Sequence, residues 1–208
     1  AYQTASGCVD ILMHTMERYF TTEEDTMLTD GIGEALMRTV IHCAGVLKED
    51  PENYNARAQV MWAGSLSHNG LTGCGTVEDW ACHQLEHELS AAFDVAHGAG
   101  LSAVWGSWAR YVYSGKPERF AQFAVNVLGV ENDFSHPDRT ALEGIRRMEE
   151  FYRSIDMPTN IRELGITLTE EQIQELAHKC SFMGKRTIGQ FMVLDEKDMR
   201  EIYRMARG

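Results

Sequence analysis

The sequence predicts an all-α domain, on three observations. Apolar residues recur at helical spacing along most of the 208 residues. No alternating strand pattern, internal repeat or low-complexity linker interrupts them, and helix start and stop signals separate the stretches. The clearest apolar stripe lies near the start of the chain: Val9, Leu12, Met13, Met16 and Phe20. We therefore predict a single multi-helix domain spanning residues 1–208.

The stretch that follows the first helix contains a second long helix, a third helix and a loop. An apolar period runs through residues 32–47. Asp50 and Pro51 predict an N-cap followed by proline at the first helical position, and this third helix extends to about Asn69. Residues 71–78 are rich in glycine, but they match neither dinucleotide-binding nor P-loop spacing, and no strand precedes them. We interpret them as a connecting loop.

The second half of the chain is predicted to be helical scaffold. Trp105 and Trp108 lie on a strongly apolar helix face, which is typical of a buried core. Thr169 and Gln172 form a capping-box pattern at a helix start. The predicted helices here cover residues 101–112, 116–128, 137–157, 169–177 and about 195–203.

Composition and charge exclude several classes of protein. The chain is 44% hydrophobic, and its 31 acidic and 19 basic residues give a net charge of −12. This balance argues against non-specific binding to nucleic acid or to an anionic membrane. There is no signal-peptide pattern and no run of 18 apolar residues, so we expect no membrane span. Five scattered cysteines favour a reducing, cytoplasmic setting, with Cys82 as a core residue.

Histidines are concentrated in one short stretch. Three of the eight lie within residues 83–97. His83 and His87 are four residues apart, so on a helix they share a face, opposite the apolar stripe of the same segment. His97 is followed by glycines at 98 and 100, and we interpret this segment as a turn that returns the third histidine toward the first two. The pattern predicts a metal site.

The first helix supplies the carboxylate that such a site needs. Asp10 and His14 are also four residues apart and lie about 100° around the helix from its apolar stripe. One anionic oxygen and several imidazoles suit Zn²⁺ or Fe²⁺. Glu17 lies on the same helix face, where it would either support a metal ligand from behind or form part of a solvated flank; of the two, we assign it to the flank.

Two other functions remain open on these residues alone. A metal-dependent hydrolase would use the same ligands and a nearby carboxylate base, for which Glu17, Glu86 and Asp94 are the candidates. An acidic helical interaction domain without catalysis would use the histidines only as structural residues. It would bind no metal.

The motifs together resemble a known family. Asp10-x-x-x-His14, His83-x-x-x-His87 and His97 followed by glycine resemble the metal-binding signature of the iron-containing (group III) alcohol dehydrogenases. The stretch HELSAAFDVAHGAGLSAVWGSWARYV is similar to the butanol-dehydrogenase-like branch, and NIRELGI and DMREIYRMAR are similar to the family's C-terminal part. The resemblance extends over nearly all of the chain.

This resemblance implies a ligand set and a fold. Asp10, His14, His83 and His97 would hold one Fe²⁺, or Zn²⁺ in some members. His87 would lie near the metal without binding it, and would relay a proton or contact substrate and cofactor. The fold would be the helical domain of the dehydroquinate-synthase-like, iron alcohol dehydrogenase C-terminal type.

It also implies a reaction and partners. The complete enzyme would interconvert primary alcohols and aldehydes with NAD(P), and the metal would act as a Lewis acid. The family's N-terminal nucleotide-binding domain, with its Gly-Gly-Ser loop, has no counterpart in these residues, so no cofactor-binding residue is assigned. The resemblance implies that this missing domain is a partner, that the chain alone is inactive, and that the enzyme is a homodimer.

Overall fold

The structure, a computed structural model, describes residues 1–208 and contains nine α-helices and no β-sheet. One isolated bridge joins Ile188 and Leu194. The prediction of an all-α fold is confirmed. The helices are α1 (Tyr2–Tyr19), α2 (Met27–Glu49), α3 (Tyr54–His68), α4 (Ala81–Phe93), α5 (His97–Val112), α6 (Pro117–Leu128), α7 (Pro137–Ser154), α8 (Glu170–Cys180) and α9 (Glu196–Ala206).

Helix α5 is the central element of the core. Every residue from Gly98 to Ala109 is buried, as expected of a helix that is apolar on all sides. Helices α1, α4, α7 and α9 pack around it. Trp105 and Trp108 are 0% and 1% exposed, which confirms their predicted place in the core. Because α5 is fixed on all sides, its first residue, His97, is held on a rigid element.

Helix α1 packs its apolar stripe inward against α2, α3 and α5. All five stripe residues are fully buried. Phe20, at the end of the stripe, stacks on Phe120 with ring centroids 4.3 Å apart. Burial of these side chains is the main stabilising contribution of α1, at about 1.5–3 kcal/mol for each large apolar residue. It also fixes the rotation of the helix, and with it the direction in which Asp10 and His14 point.

The start of α3 differs from the prediction. Asp50 and Pro51 do not open the helix, which begins at Tyr54 with Asn53 as its N-cap. The Asn53 side chain accepts a hydrogen bond from Ala56 N at 3.1 Å, while Asp50 accepts from Glu52 N within the preceding turn. Asparagine satisfies an unpaired amide of the first helical turn as well as aspartate does, so the cap lies three residues later.

The predicted turn at His97 is also wrong. The chain reverses at residues 94–96, where Asp94 has φ +53°, and residues 97–100 form the first turn of α5. A Cβ atom on Gly98 would overlap the carbonyl oxygen of Ser6 in α1. Glycine is therefore needed for contact rather than for a turn. This close approach brings His97 beside α1.

The later helix starts agree with the sequence. Thr169 caps α8, and Thr169 and Gln172 form the predicted capping box. Asp195 caps α9 and accepts hydrogen bonds from Lys197 N and Asp198 N. All five cysteines are free, and Cys82 is fully buried as predicted. None of the helices combines the length and apolarity that crossing a bilayer requires.

Candidate metal centre

Four predicted side chains converge where α1, α4 and α5 meet. The Oδ1 atom of Asp10 lies 3.6 Å from Nε2 of His14, 3.5 Å from Nε2 of His83 and 3.5 Å from Nε2 of His97. Four donors bound to one cation at about 2.1 Å in a tetrahedral arrangement lie roughly 3.4 Å apart, so the three separations from Asp10 Oδ1 fit this geometry. The structure therefore brings three imidazole nitrogens to within 3.6 Å of one carboxylate oxygen.

Several of these atoms are buried without a partner. Asp10 Oδ1 and His83 Nε2 have no hydrogen-bond partner within the protein, and neither atom is accessible to solvent. An unpaired buried polar atom costs about 1–3 kcal/mol, so two of them facing each other need a ligand. Asp10, His14 and His83 also have donor atoms within 4.8 Å of one another. The donor set suits a divalent cation such as Zn²⁺ or Fe²⁺.

Two glutamates hold the histidine rings from behind. Glu17 Oε2 is hydrogen bonded to Nδ1 of His83, and Glu86 Oε2 is hydrogen bonded to Nδ1 of His97. Both glutamates are buried. A carboxylate on Nδ1 keeps the hydrogen on that nitrogen and directs the Nε2 lone pair toward the centre, as in many metal sites. The assignment of Glu17 to a solvated flank is therefore wrong.

Glu17 also fixes α4 against α1. Its Oε1 atom accepts a hydrogen bond from His83 N at 3.2 Å, in the first turn of α4, and its carbonyl oxygen accepts from Asp79 N at 2.8 Å. A carboxylate at a helix N-terminus satisfies unpaired amides and interacts favourably with the helix dipole. Sequence periodicity could not reveal this role, because it depends on where α4 begins relative to α1.

The electrostatics of the group favour positive charge at its centre. Burial opposes ionisation of Asp10, but the facing imidazoles of His83 and His97 outweigh it and hold its pKa well below the usual range. Burial also opposes protonation of His83, yet interactions with Asp10 and Glu17 raise its pKa to about 9. Interactions with Asp10 and Glu86 raise the pKa of His97 to about 10. The carboxylates of Asp10, Glu17 and Glu86 thus surround the imidazoles, and a divalent cation can supply the positive charge that these carboxylates attract.

His14 has different surroundings. Burial, together with nearby His83, lowers its pKa to about 4, so it is held as the neutral imidazole that metals bind. Its Nδ1 atom is buried and has no hydrogen-bond partner. The ring is instead held by aromatic contacts: the Trp80 ring lies edge-on at 5.2 Å and the His83 ring at 4.5 Å. Trp80 itself has φ +62°, an unusual conformation for a bulky residue and one that is often found at functional sites.

His87 lies at the rim rather than at the centre. Its side chain is exposed, and its ring centroid is 6.0 Å from that of His83 and 5.5 Å from that of His97. Glu86, His87 and His97 form a second group with metal-ligand spacing. Glu86, however, is already bonded to His97 Nδ1 and to the Ser90 hydroxyl, so we interpret it as a support for His97.

Two residues of the centre were missed by sequence reasoning. Glu86 was considered only as a candidate hydrolytic base, and its contact with His97 depends on the fold. His68, the last residue of α3, was interpreted only as part of a helix end. Its Nε2 atom lies 3.5 Å from Asp10 Oδ2. The S-H-N-G segment at 67–70 gives no sign of this, because nothing local indicates that α3 ends beside α1.

Comparison with known proteins identifies the family. Residues 4–207 match the model of the Fe-containing alcohol dehydrogenase family, C-terminal. The NADH-dependent butanol dehydrogenase A of Clostridium acetobutylicum is 35% identical over 203 residues, which cover 97% of this chain and 51% of that protein. The NADPH-dependent aldehyde reductase YqhD of Escherichia coli is 31% identical over 205 residues, 99% of this chain and 52% of that protein.

The solved structures show the same relation. The crystal structure of the NADH-dependent butanol dehydrogenase A of Thermotoga maritima superposes with a TM-score of 0.92 and 32% identity, covering 100% of this chain and 52% of that one. The chain thus spans about half the length of the relatives that it matches.

Proposed function

The chain belongs to the Fe-containing alcohol dehydrogenase family, and from this premise we propose that it forms the metal-binding half of an NAD(P)-dependent enzyme that interconverts primary alcohols and aldehydes. The observation that carries the proposal is the convergence of Asp10 Oδ1 with the Nε2 atoms of His14, His83 and His97. The names of the relatives, which include butanol dehydrogenases and an aldehyde reductase, support the substrate class.

The four converging residues would hold the metal. A bound Fe²⁺ or Zn²⁺ ion supplies Lewis-acid chemistry, polarising an alcohol or carbonyl oxygen. Asp10 lowers the net charge of the site. Glu17 and Glu86 keep the rings of His83 and His97 oriented and make them stronger donors. Of the four residues only His83 is buried, while the side chains of Asp10, His14 and His97 are 27%, 19% and 39% exposed, so one side of the centre is open to solvent.

His87 is assigned a role outside the ligand set. Its exposed imidazole is stacked against His97, with the two ring planes 25° apart. The part of the ring that packs against the protein loses hydration, which lowers its pKa and favours the neutral imidazole, the form that can accept a proton. We assign to His87 proton exchange between the alcohol at the centre and solvent, or contact with substrate and nicotinamide.

We propose that the nicotinamide, which carries the hydride, binds outside residues 1–208. Relatives are about twice as long, and their names include both NADH and NADPH. The proposal is that an N-terminal nucleotide-binding domain supplies the nicotinamide, that this chain alone has no dehydrogenase activity, and that the complete enzyme is a homodimer. Nicotinamide cofactors carry the hydride, while the protein orients the reacting atoms.

The hydrolase alternative has less support. It needs a carboxylate that is free to act as a base beside the metal. Glu17 and Glu86 are both bonded to ligand histidines, and Asp94 is exposed at the end of α4. The structure thus leaves none of the three candidates free beside the centre. Esterase and phosphatase assays of the metal-loaded chain are expected to show no activity above that of metal alone.

The proposal is tested by butanal reduction in a protein that joins this chain to a nucleotide-binding domain of the family. We expect His83→Ala to lower kcat/KM at least a thousandfold with either NADH or NADPH, because it removes a buried donor. His136→Ala is the matched control: His136 is exposed, contacts only Asp133 and should leave kcat/KM unchanged. Full activity in His83→Ala would contradict the proposal.

A further inference from the structure

His68 is a fourth imidazole at the centre, and it faces the oxygen of Asp10 that the other histidines leave free. Its Nε2 atom lies 3.5 Å from Asp10 Oδ2, an ion-pair distance. The three ligand histidines all face Oδ1 instead. The two oxygens of Asp10 therefore have separate surroundings: Oδ1 faces the centre, and Oδ2 faces His68.

The other edge of the His68 ring is held by its own helix. Nδ1 lies 2.9 Å from the carbonyl oxygen of Gly64 and 2.7 Å from Ser67 Oγ. Ser67 Oγ also donates a hydrogen bond to Gly64 O at 3.0 Å. These contacts at Nδ1 fix the ring with Nε2 directed at Asp10 Oδ2.

His68 also supports a ligand that has no carboxylate behind it. His83 has Glu17 and His97 has Glu86, but Nδ1 of His14 has no partner. The ring of His68 lies against that of His14, with centroids 3.9 Å apart and planes inclined by 37°. One side chain thus touches both metal-facing residues of α1.

We propose that His68 is a positioning residue for the metal centre: it holds Oδ2 of Asp10 and the ring of His14, so that Asp10 binds metal through Oδ1 alone. The inference rests on the proposed metal site. Without His68, the Asp10 carboxylate is free to rotate and to bind with both oxygens. Such binding would occupy the position that an alcohol oxygen needs, because catalytic zinc-type sites keep one position open.

The test is metal affinity of the chain itself, measured by competition with a chromophoric chelator for Zn²⁺. We expect His68→Leu to weaken binding about 10–100-fold, the range found when supporting partners of metal ligands are removed, because the lost orientation of Asp10 and His14 outweighs the gain of a second carboxylate oxygen. His68→Gln keeps a side-chain N–H near Asp10 and should recover at least half of the loss on a logarithmic scale. His136→Leu removes an exposed histidine elsewhere and should bind like the unchanged chain.

A structural role is separated from a positioning role by two further readouts. The metal-free His68→Leu chain should melt within about 2 °C of the unchanged chain, since the ring is partly exposed. In the Co²⁺-loaded protein, His68→Leu should weaken the visible d–d absorption without removing it, because absorption weakens as the coordination number rises. His14→Ala removes a ligand and is the reference for a large spectral change.

The outcomes are distinct. If the unchanged chain binds no metal, the proposed function fails, and this inference fails with it. If it binds metal and His68→Leu binds equally well, the inference alone is wrong. Equal losses in His68→Leu and His68→Gln would show that an N–H donor to Asp10 is not what matters and would also overturn it. A Co²⁺ spectrum as strongly changed as that of His14→Ala would make His68 a ligand rather than a positioning residue.

Discussion

Helices α1 and α4 each carry two potential metal ligands four residues apart, but only on α1 do both side chains face the centre. On α1, Asp10 and His14 both face the centre, with Oδ1 and Nε2 3.6 Å apart. On α4, His83 faces the centre, while His87 lies exposed at the rim. Spacing of four residues places two side chains on one helix face. It does not decide which of them lies deep enough to bind.

Depth is decided by how the helices are anchored. The start of α4 is fixed to α1 through the backbone bond from Asp79 N to Glu17 O and through Glu17 Oε1 to His83 N. His83, in the first turn of α4, therefore lies nearest to α1. His87 is four residues farther along, about 6 Å along the helix axis, and its side chain is exposed. Helix α1, by contrast, passes the centre with its middle turns, so both members of its pair face inward.

The largest effect is expected at His83. Four-ligand zinc sites bind with roughly 10–16 kcal/mol, so removing one ligand costs on the order of 4 kcal/mol, or about a thousandfold in affinity. His83→Ala should therefore lose Zn²⁺ at chelator concentrations that leave the unchanged chain loaded, measured by elemental analysis. If His83→Ala keeps one full equivalent of Zn²⁺, then His83 is not the α4 residue that binds the metal.

The Asp79 side chain is a second anchor at the start of α4, and Asp79→Ala tests it. The Asp79 side chain accepts hydrogen bonds from Ala81 N at 3.0 Å and from Gln190 N and Phe191 N at 2.8 Å each. Removing it leaves these amides unpaired, and we expect the free energy of unfolding to fall by about 3 kcal/mol in urea titrations. Asp138→Ala, in the exposed first turn of α7, should cost less than about 1 kcal/mol. Equal losses in the two variants would refute the anchoring role.

The carboxylates behind the histidines are expected to have a smaller effect on metal. Glu17→Gln keeps the size of the side chain but weakens the hold on His83 Nδ1, so Zn²⁺ affinity should fall about 10–100-fold. Glu86→Gln should act similarly through His97. Chelator competition measures both. Affinities within threefold of the unchanged chain would mean that packing alone orients the rings.

The smallest effect is expected at His87. His87→Ala should leave the metal content of the chain at one equivalent and its Zn²⁺ affinity within about threefold, because the exposed ring lies outside the set that faces Asp10. In a protein that joins this chain to a nucleotide-binding domain of the family, the same change should lower kcat about a hundredfold if the ring transfers a proton. Loss of metal in His87→Ala would remove the distinction between the two members of the α4 pair.

Helix positions followed from sequence where local chemistry is decisive. The apolar stripe of α1, the aromatic face of α5 and the caps at Thr169 and Asp195 are set by residues within a few positions of each other. The predicted start of α3 was wrong because Asp50 and Asn53 are both good N-cap residues, and only the structure shows which of them caps the helix.

The surroundings of the centre could not be predicted, because they depend on where helices end and cross. Glu17 and Glu86 reach histidine rings 66 and 11 residues away, respectively. His68 meets Asp10 because α3 ends beside α1. Gly98 is needed where α5 touches Ser6, not where the chain turns. In each case the residue's role comes from the contact of two helices that are distant in sequence, so the pattern of neighbouring residues does not predict it.

The central claim is that Asp10, His14, His83 and His97 form one metal site. It is tested most directly by elemental analysis of the purified chain before and after dialysis against a chelator, together with thermal melting. The account predicts about one equivalent of iron or zinc, and a melting temperature that falls when the metal is removed and recovers when it is restored. No bound metal, with a melting temperature unchanged by anaerobic addition of Fe²⁺ or Zn²⁺, would contradict it.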